Sequence, residues 1–198
     1  MDWVAKLKWV VFPLCLTPLV WLVHALVTHQ LGPDPANTLT RSLGEWALIF
    51  LCISLTITPA RKITGINKLI RFRRMIGLFS LFYALLHVMA YLAFMLGWQW
   101  QTLLEDLYRR PYIMVGALAI LILSALGATS TKAMMRRLGK KWVKLHKLVY
   151  LAAALAVLHF IWLSKSDYTE AVVFGSVLAG LMLLRLPVRR VIRLLSYR

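Results

Sequence analysis

Residues 71–97 read RFRRMIGLFSLFYALLHVMAYLAFMLG. Three arginines open the stretch, and from Met75 to Gly97 no side chain carries a fixed charge. About 20 apolar residues suffice to cross a bilayer as a helix. Lipid offers the backbone no hydrogen-bond partner, so a crossing segment closes its own ladder. The stretch therefore reads as a transmembrane helix with a basic loop at its start. It has one titratable group in its interior, His87.

Five further stretches have the same character: Trp9–Val27, Glu45–Ala60, Tyr112–Ser130, Leu145–Leu163 and Ala171–Leu186. Local punctuation agrees. Ser42 and Glu45 have capping-box spacing before the second span. Pro111 suits the first turn of the fourth, and Pro59 and Pro187 fall near the ends of the second and sixth. Of the 198 residues, 61% are hydrophobic and 16% charged, against about 25% charged in a soluble domain. The expected fold is all-α: a polytopic bundle of six transmembrane helices forming one domain over residues 1–198.

Charge gives the orientation. Twenty of the 24 Lys and Arg residues fall at the N-terminus (Lys6, Lys8), in the second loop (Arg61 to Arg74), in the fourth loop (Lys132 to Lys147) and in the tail (Arg185, Arg189, Arg190, Arg193, Arg198). The other side has only Arg41, Arg109, Arg110 and Lys165, and it collects Asp34, Glu45, Glu105, Asp106, Asp167 and Glu170. The positive-inside rule then puts both termini in the cytosol. The net charge of +17 serves topology and contact with lipid headgroups, not nucleic acid. Lys6 and Lys8 before an apolar run fit half of a signal-peptide pattern. The run continues to Val27 with no small-residue cleavage site, so it reads as a retained anchor. Of the outer loops, Thr28–Gly44 with Gly32, Pro33 and Pro35 is expected to be irregular. Trp98–Arg110 reads as a short interfacial helix in which Asp106 can pair with Arg109 or Arg110. Cys15 and Cys52 sit singly in apolar runs and form no metal or covalent-haem motif. There is no internal repeat, GxGxxG or P-loop pattern.

An ionisable residue within a span is costly and marks a functional candidate. His87 lies 13 residues beyond Arg74, and His159 lies 13 beyond His146, which opens its span between Lys144 and Lys147. Both climb about 20 Å from the same membrane edge. Two imidazoles at one height on neighbouring helices can hold a haem iron between them; the plainer alternative is interhelical hydrogen bonding. His146 stands at the inner boundary, opposite Arg73 and Arg74. These are not axial ligands, but they can pair with haem propionates. His146 and His159 lie about 140° apart around an ideal helix, so a second haem on that helix needs a kink. The residues leave open one haem or two. His24 and His29 read as hydrogen-bonding or interfacial groups.

Three stretches carry a resemblance: RFRRMIGLFSLFYALLHVMAYL (71–92), RRPYIMVGALA (109–119) and TSTKAMMRRLGKKWVKLHKLVYLAAALAVLHFIW (129–162). Together they closely resemble the MsrQ (formerly YedZ) family, the haem-binding membrane subunits of protein-methionine-sulfoxide reductase systems. More widely, they are similar to ferric-reductase-like transmembrane proteins, including the NADPH oxidases. The likeness runs over essentially the whole chain, and the LGKKWxxLHxxxY block with the later LH is its most specific part.

The resemblance implies a b-type cytochrome of the bacterial inner membrane. It would pass electrons from the quinone pool to a periplasmic molybdopterin reductase, MsrP, which repairs methionine sulfoxide in oxidised proteins. It also implies an associated FMN, and haem ligands at His87, His146 and His159. The oxidase relatives usually carry two histidines on each of two helices. Here Arg73 and Arg74 stand where the fourth would be, which puts a second bis-histidine haem in doubt. The oxidases' soluble flavin and nucleotide domain is absent, so a quinol or a separate flavin reductase is the expected donor. No substrate-turnover site is evident. Two other readings stay in view: a self-contained b561-like quinol oxidoreductase, and a non-redox transporter or assembly protein with histidines as a proton relay.

Overall fold

The first helix of the computed structural model, α1 (Trp3–Val27), runs through both Pro13 and Pro18. Proline gives no N–H to the ladder and loosens the turn before it. At that point the Tyr83 hydroxyl enters α1. It accepts from the Leu19 N–H (3.1 Å) and donates to the Cys15 carbonyl (2.8 Å), two groups that would bond each other in a regular helix. Tyr83 is fully buried, so this insertion pins α1 to the helix that carries it.

The structure describes residues 3–164 and 168–185. Lys165, Asp167, Pro187 and the tail arginines Arg189, Arg190, Arg193 and Arg198 lie outside the described residues. The remaining elements are α2 (Pro35–Thr64), α3 (Ile70–Ala90) after a 3₁₀ turn, α4 (Trp100–Arg109), α5 (Pro111–Ala128), α6 (Lys132–Leu138), α7 (Lys140–His146), α8 (Val149–Leu163) and α9 (Thr169–Leu183). Five segments are long and apolar enough to cross a membrane: Lys6–Val27, Pro35–Thr64, Asn67–Met95, Pro111–Ala128 and Lys140–Leu163. The sixth expected span, α9, is apolar but shorter within the described residues.

Three boundaries differ from those read in the sequence. α2 begins at Pro35, not near Glu45, because Asp34 caps it by accepting from the Asn37 N–H (3.1 Å) and Pro35 fits its first turn. The first outer loop is accordingly short. Pro59 does not end α2, which continues to Thr64 and stops at Gly65 (φ 72°). The N–H missing at Pro59 leaves the Leu55 carbonyl without its helical donor, and Arg185, two residues beyond α9, donates to it. The fifth span is broken just after His146, where α7 ends, and resumes at Val149. The basic fourth loop is itself two short helices, α6 capped by Thr131 and joined to α7 at Gly139 (φ 49°).

α2 packs along α3, and α5 along α8; α3–α5 and α2–α8 contacts join the two pairs. α1 leans on α2 and α3, and α9 on α8 and α2. Small and hydroxyl-bearing residues line these seams, as expected where no hydrophobic effect drives association. Ser80 Oγ donates to the Ala47 carbonyl (2.9 Å) and Ser54 Oγ to that of Arg73 (3.2 Å). On α8, Ala152 and Ala153 are buried beside Leu123 of α5. α3 continues as a π-turn, Tyr91–Met95, before Gly97 and Trp98 turn the chain, both at positive φ.

α4 lies across the bundle end at which α2 and α5 begin. Trp100, Leu104 and Tyr108 form its exposed stripe, and Asp106 is buried. The Tyr91 hydroxyl and Arg110 Nε (3.1 Å) both bond the Asp106 carboxylate, while Arg109 pairs with Glu105 (3.0 Å).

Candidate functional site

Between α2, α3, α5 and α8 the helices leave a cavity of about 390 Å³, within the range of small-ligand sites. Its deep end is closed by small and apolar side chains, among them Leu51, Ala84, Leu123 and Ala156. Tyr91, Leu92 and Met95 of the π-turn and Leu103 and Leu107 of α4 cover the other end. π-turns of this kind often occur at functional sites.

His87 (α3) and His159 (α8) enter this cavity from opposite sides, with ring centroids 6.3 Å apart and planes at 83°. Each ring is tied to a neighbouring helix. His87 Nδ1 lies 2.7 Å from the Thr40 carbonyl on α2, and His159 Nδ1 lies 2.6 Å from the Tyr112 carbonyl on α5. A carbonyl only accepts, so Nδ1 carries the proton in both rings and Nε2 keeps a free lone pair. Nδ1–H bonded to a backbone carbonyl is the usual outer support of a metal-ligating histidine.

The donor set narrows the chemistry. Among the described residues no three His, Cys, Asp or Glu side chains gather to hold a metal ion, whereas a bare ion wants four or more ligands. Two imidazoles in an apolar cavity suit a metal that brings its equatorial ligands with it. The spacing fits as well. Two metal–nitrogen bonds of about 2 Å, plus about 1 Å from each nitrogen to its ring centre, require about 6 Å. The residues therefore fit a planar iron macrocycle held from both faces.

Two cationic side chains line the cavity, Arg41 and Arg110, both towards the α4 end. Arg41 bonds Glu45 and Glu170 (2.7 Å each), and its guanidinium lies 5.9 Å over the Phe160 ring. Arg73 and Arg74, the arginines marked in the sequence, are not in this lining. They sit at the far end of α3, where Arg73 neighbours Tyr150 and Arg185.

His146 is apart from the pair. It stacks on Trp142 at 3.9 Å between centroids; its Nδ1 donates to the Trp142 carbonyl of its own helix (3.2 Å), and its Nε2 is 3.5 Å from Ser130 Oγ. His24 and His29 are exposed and outside the cavity. Cys15 and Cys52 are free and buried in separate apolar clusters, consistent with packing. Reading the sequence found the two imidazoles but missed Thr40 and Tyr112, whose contribution is a carbonyl that every residue possesses. Nor does the sequence show that Arg41 and Arg110, two of the outer-side charges, line the cavity.

Comparison with known proteins gives the family. Residues 42–157 match the family described as the ferric reductase like transmembrane component. A protein-methionine-sulfoxide reductase heme-binding subunit MsrQ from Rhodospirillum rubrum is 46% identical over 177 residues, 89% of this chain and 85% of that protein. The proteins of the same name from Polaromonas naphthalenivorans and Herminiimonas arsenicoxydans are each 43% identical, covering 88% and 90% of this chain and 81% and 84% of their own lengths. A likeness of this extent and identity places the chain in the MsrQ family, within the ferric-reductase-like transmembrane proteins.

Proposed function

We propose that this chain is a b-type cytochrome of the bacterial inner membrane that carries electrons to a periplasmic molybdopterin reductase, MsrP, for repair of methionine sulfoxide in oxidised proteins. The observation that carries the reading is the pair of carbonyl-anchored imidazoles, 6.3 Å apart in an apolar cavity. Bound there, haem b supplies a one-electron iron couple. The chain's own part is to hold and shield it. His87 and His159 present Nε2 from opposite sides, the small deep residues admit an apolar macrocycle, and α4 with the π-turn keeps bulk water out. Arg41 and Arg110 are the natural partners for its carboxylates, in place of Arg73 and Arg74.

In this reading both termini and the basic loops face the cytosol, α9 completes a sixth span, and the α4 end faces the periplasm. The donor is the quinone pool or a flavin reductase, and the FMN implied by the family belongs to that side of the function. A single haem accounts for the cavity. A second haem at His146 would have to draw that ring away from Trp142 and find another ligand beside Arg73.

Visible spectroscopy with haem quantitation on the detergent-purified protein tests the reading. Wild type is expected to hold about one haem per chain with a six-coordinate spectrum. His87→Ala and His159→Ala each lose that spectrum and most of the pigment, a loss of at least 10-fold in affinity, and His146→Ala keeps both. Colourless wild-type protein, or pigment indifferent to both cavity substitutions, would overturn it. Reoxidation of the reduced protein by MsrP separates this function from a b561-like exchange of small quinols.

A further inference from the structure

The two ligand histidines are held by one device used twice. Thr40, Gly44 and His87 stand 72 residues ahead of Tyr112, Gly116 and His159. On α2 the Thr40 carbonyl takes the His87 Nδ1–H, and Gly44 follows one turn later; on α5 the Tyr112 carbonyl takes that of His159, and Gly116 follows one turn later. This is a repeat that reading the chain linearly did not reveal, because the flanking apolar residues vary freely.

Both glycines are required by space. A Cβ on Gly44 would stand 2.9 Å from His87 Nδ1 and 3.1 Å from Cε1; on Gly116 it would stand 2.8 Å from His159 Nδ1 and 3.0 Å from Cε1. A Cβ less than 3.0 Å from Nδ1 forces the ring to shift, and Nδ1 is the atom that bonds the carbonyl. The reason lies in helix geometry. The residue four places after a carbonyl leans its side chain back over that carbonyl, and a glycine there leaves room for a donor as bulky as an imidazole to reach the second lone pair.

We propose that Gly44 and Gly116 are positioning residues that, by keeping two helix carbonyls accessible, fix both imidazoles as Nδ1–H tautomers with Nε2 turned into the cavity. The proposal rests on the haem reading above and deepens it. A hydrogen bond from Nδ1–H to a carbonyl makes Nε2 more basic. A more basic axial ligand favours the oxidised iron, so losing either bond raises the midpoint potential.

The test uses the full-length protein: Gly44→Ala, Gly116→Ala, and Gly180→Ala as control, since a Cβ at Gly180 meets open space. Gly44→Ala and Gly116→Ala are expected to move the midpoint potential positive, to change the ferric electron paramagnetic resonance spectrum, and to weaken haem retention about 10- to 100-fold. Gly180→Ala stays at wild type. If either glycine variant retains no haem, its partner background decides. In His87→Ala the added Gly44→Ala should leave protein yield, and any residual pigment, unchanged, and likewise Gly116→Ala in His159→Ala. Wild-type potential and spectrum in the single variants, or an equal loss of protein in the His→Ala backgrounds, would overturn the proposal. Failure of the haem reading is separate, since it would show in the His→Ala variants themselves.

Discussion

A phenol that interrupts a helix ladder contributes differently from one that packs in a core. Tyr83 replaces one backbone hydrogen bond of α1 with two of its own, to Leu19 and Cys15. Tyr83→Phe removes both but lets the two α1 groups close on each other. The expected cost is therefore that of about one net hydrogen bond, about 1 kcal/mol, seen as a lower thermal midpoint in detergent. An unchanged midpoint would show that α1 holds its place without the insertion. The same asymmetry between side chain and backbone decided what could be read beforehand. His87 and His159 were legible because an imidazole in a span is rare and their distances from the basic loops match. Thr40 and Tyr112 were not, because they act through carbonyls. Gly44 and Gly116 were legible in principle, as glycines at one offset from each histidine, but only once the offset is sought.

α4 is tied to the bundle through a buried carboxylate. Asp106 accepts from Tyr91 on the π-turn and from Arg110 at the start of α5, so a single residue ties α4 to the ends of two of the cavity-lining helices, α3 and α5. Asp106→Ala leaves a phenol and a guanidinium without their acceptor, at a cost of about 1–3 kcal/mol. Amide hydrogen exchange over residues 100–109 should then quicken by about tenfold or more, while that of α2 and α3 stays slow. Uniform acceleration of all three would mean instead that Asp106 supports the bundle as a whole. The helices themselves were readable from length and apolarity, since lipid permits little else. Their ends were less so. Ser42 and Glu45 do have capping-box spacing, yet Asp34 and Pro35 start α2 earlier, because an Arg41–Glu45 pair and buried Leu39 and Leu43 favour continued helix. The break after His146 had no proline or glycine to announce it.

At the scale of the whole chain, the proposed orientation has a direct check. Both native cysteines are buried, so engineered ones report without background. Gln101→Cys on α4 is expected to react with an impermeant thiol reagent applied from the periplasmic side, and Lys132→Cys on α6 only after the membrane is opened. The reverse pattern would invert the topology drawn from the basic loops. The bundle also has an inner division of labour. His87 and its carbonyl belong to the α2–α3 pair, His159 and its carbonyl to the α5–α8 pair. Each jaw thus arrives with its tooth already set, and the grip on whatever lies between depends on how firmly the two jaws meet. Anything seated there would touch both halves at once, adding its own hold to the α3–α5 and α2–α8 contacts that already join them.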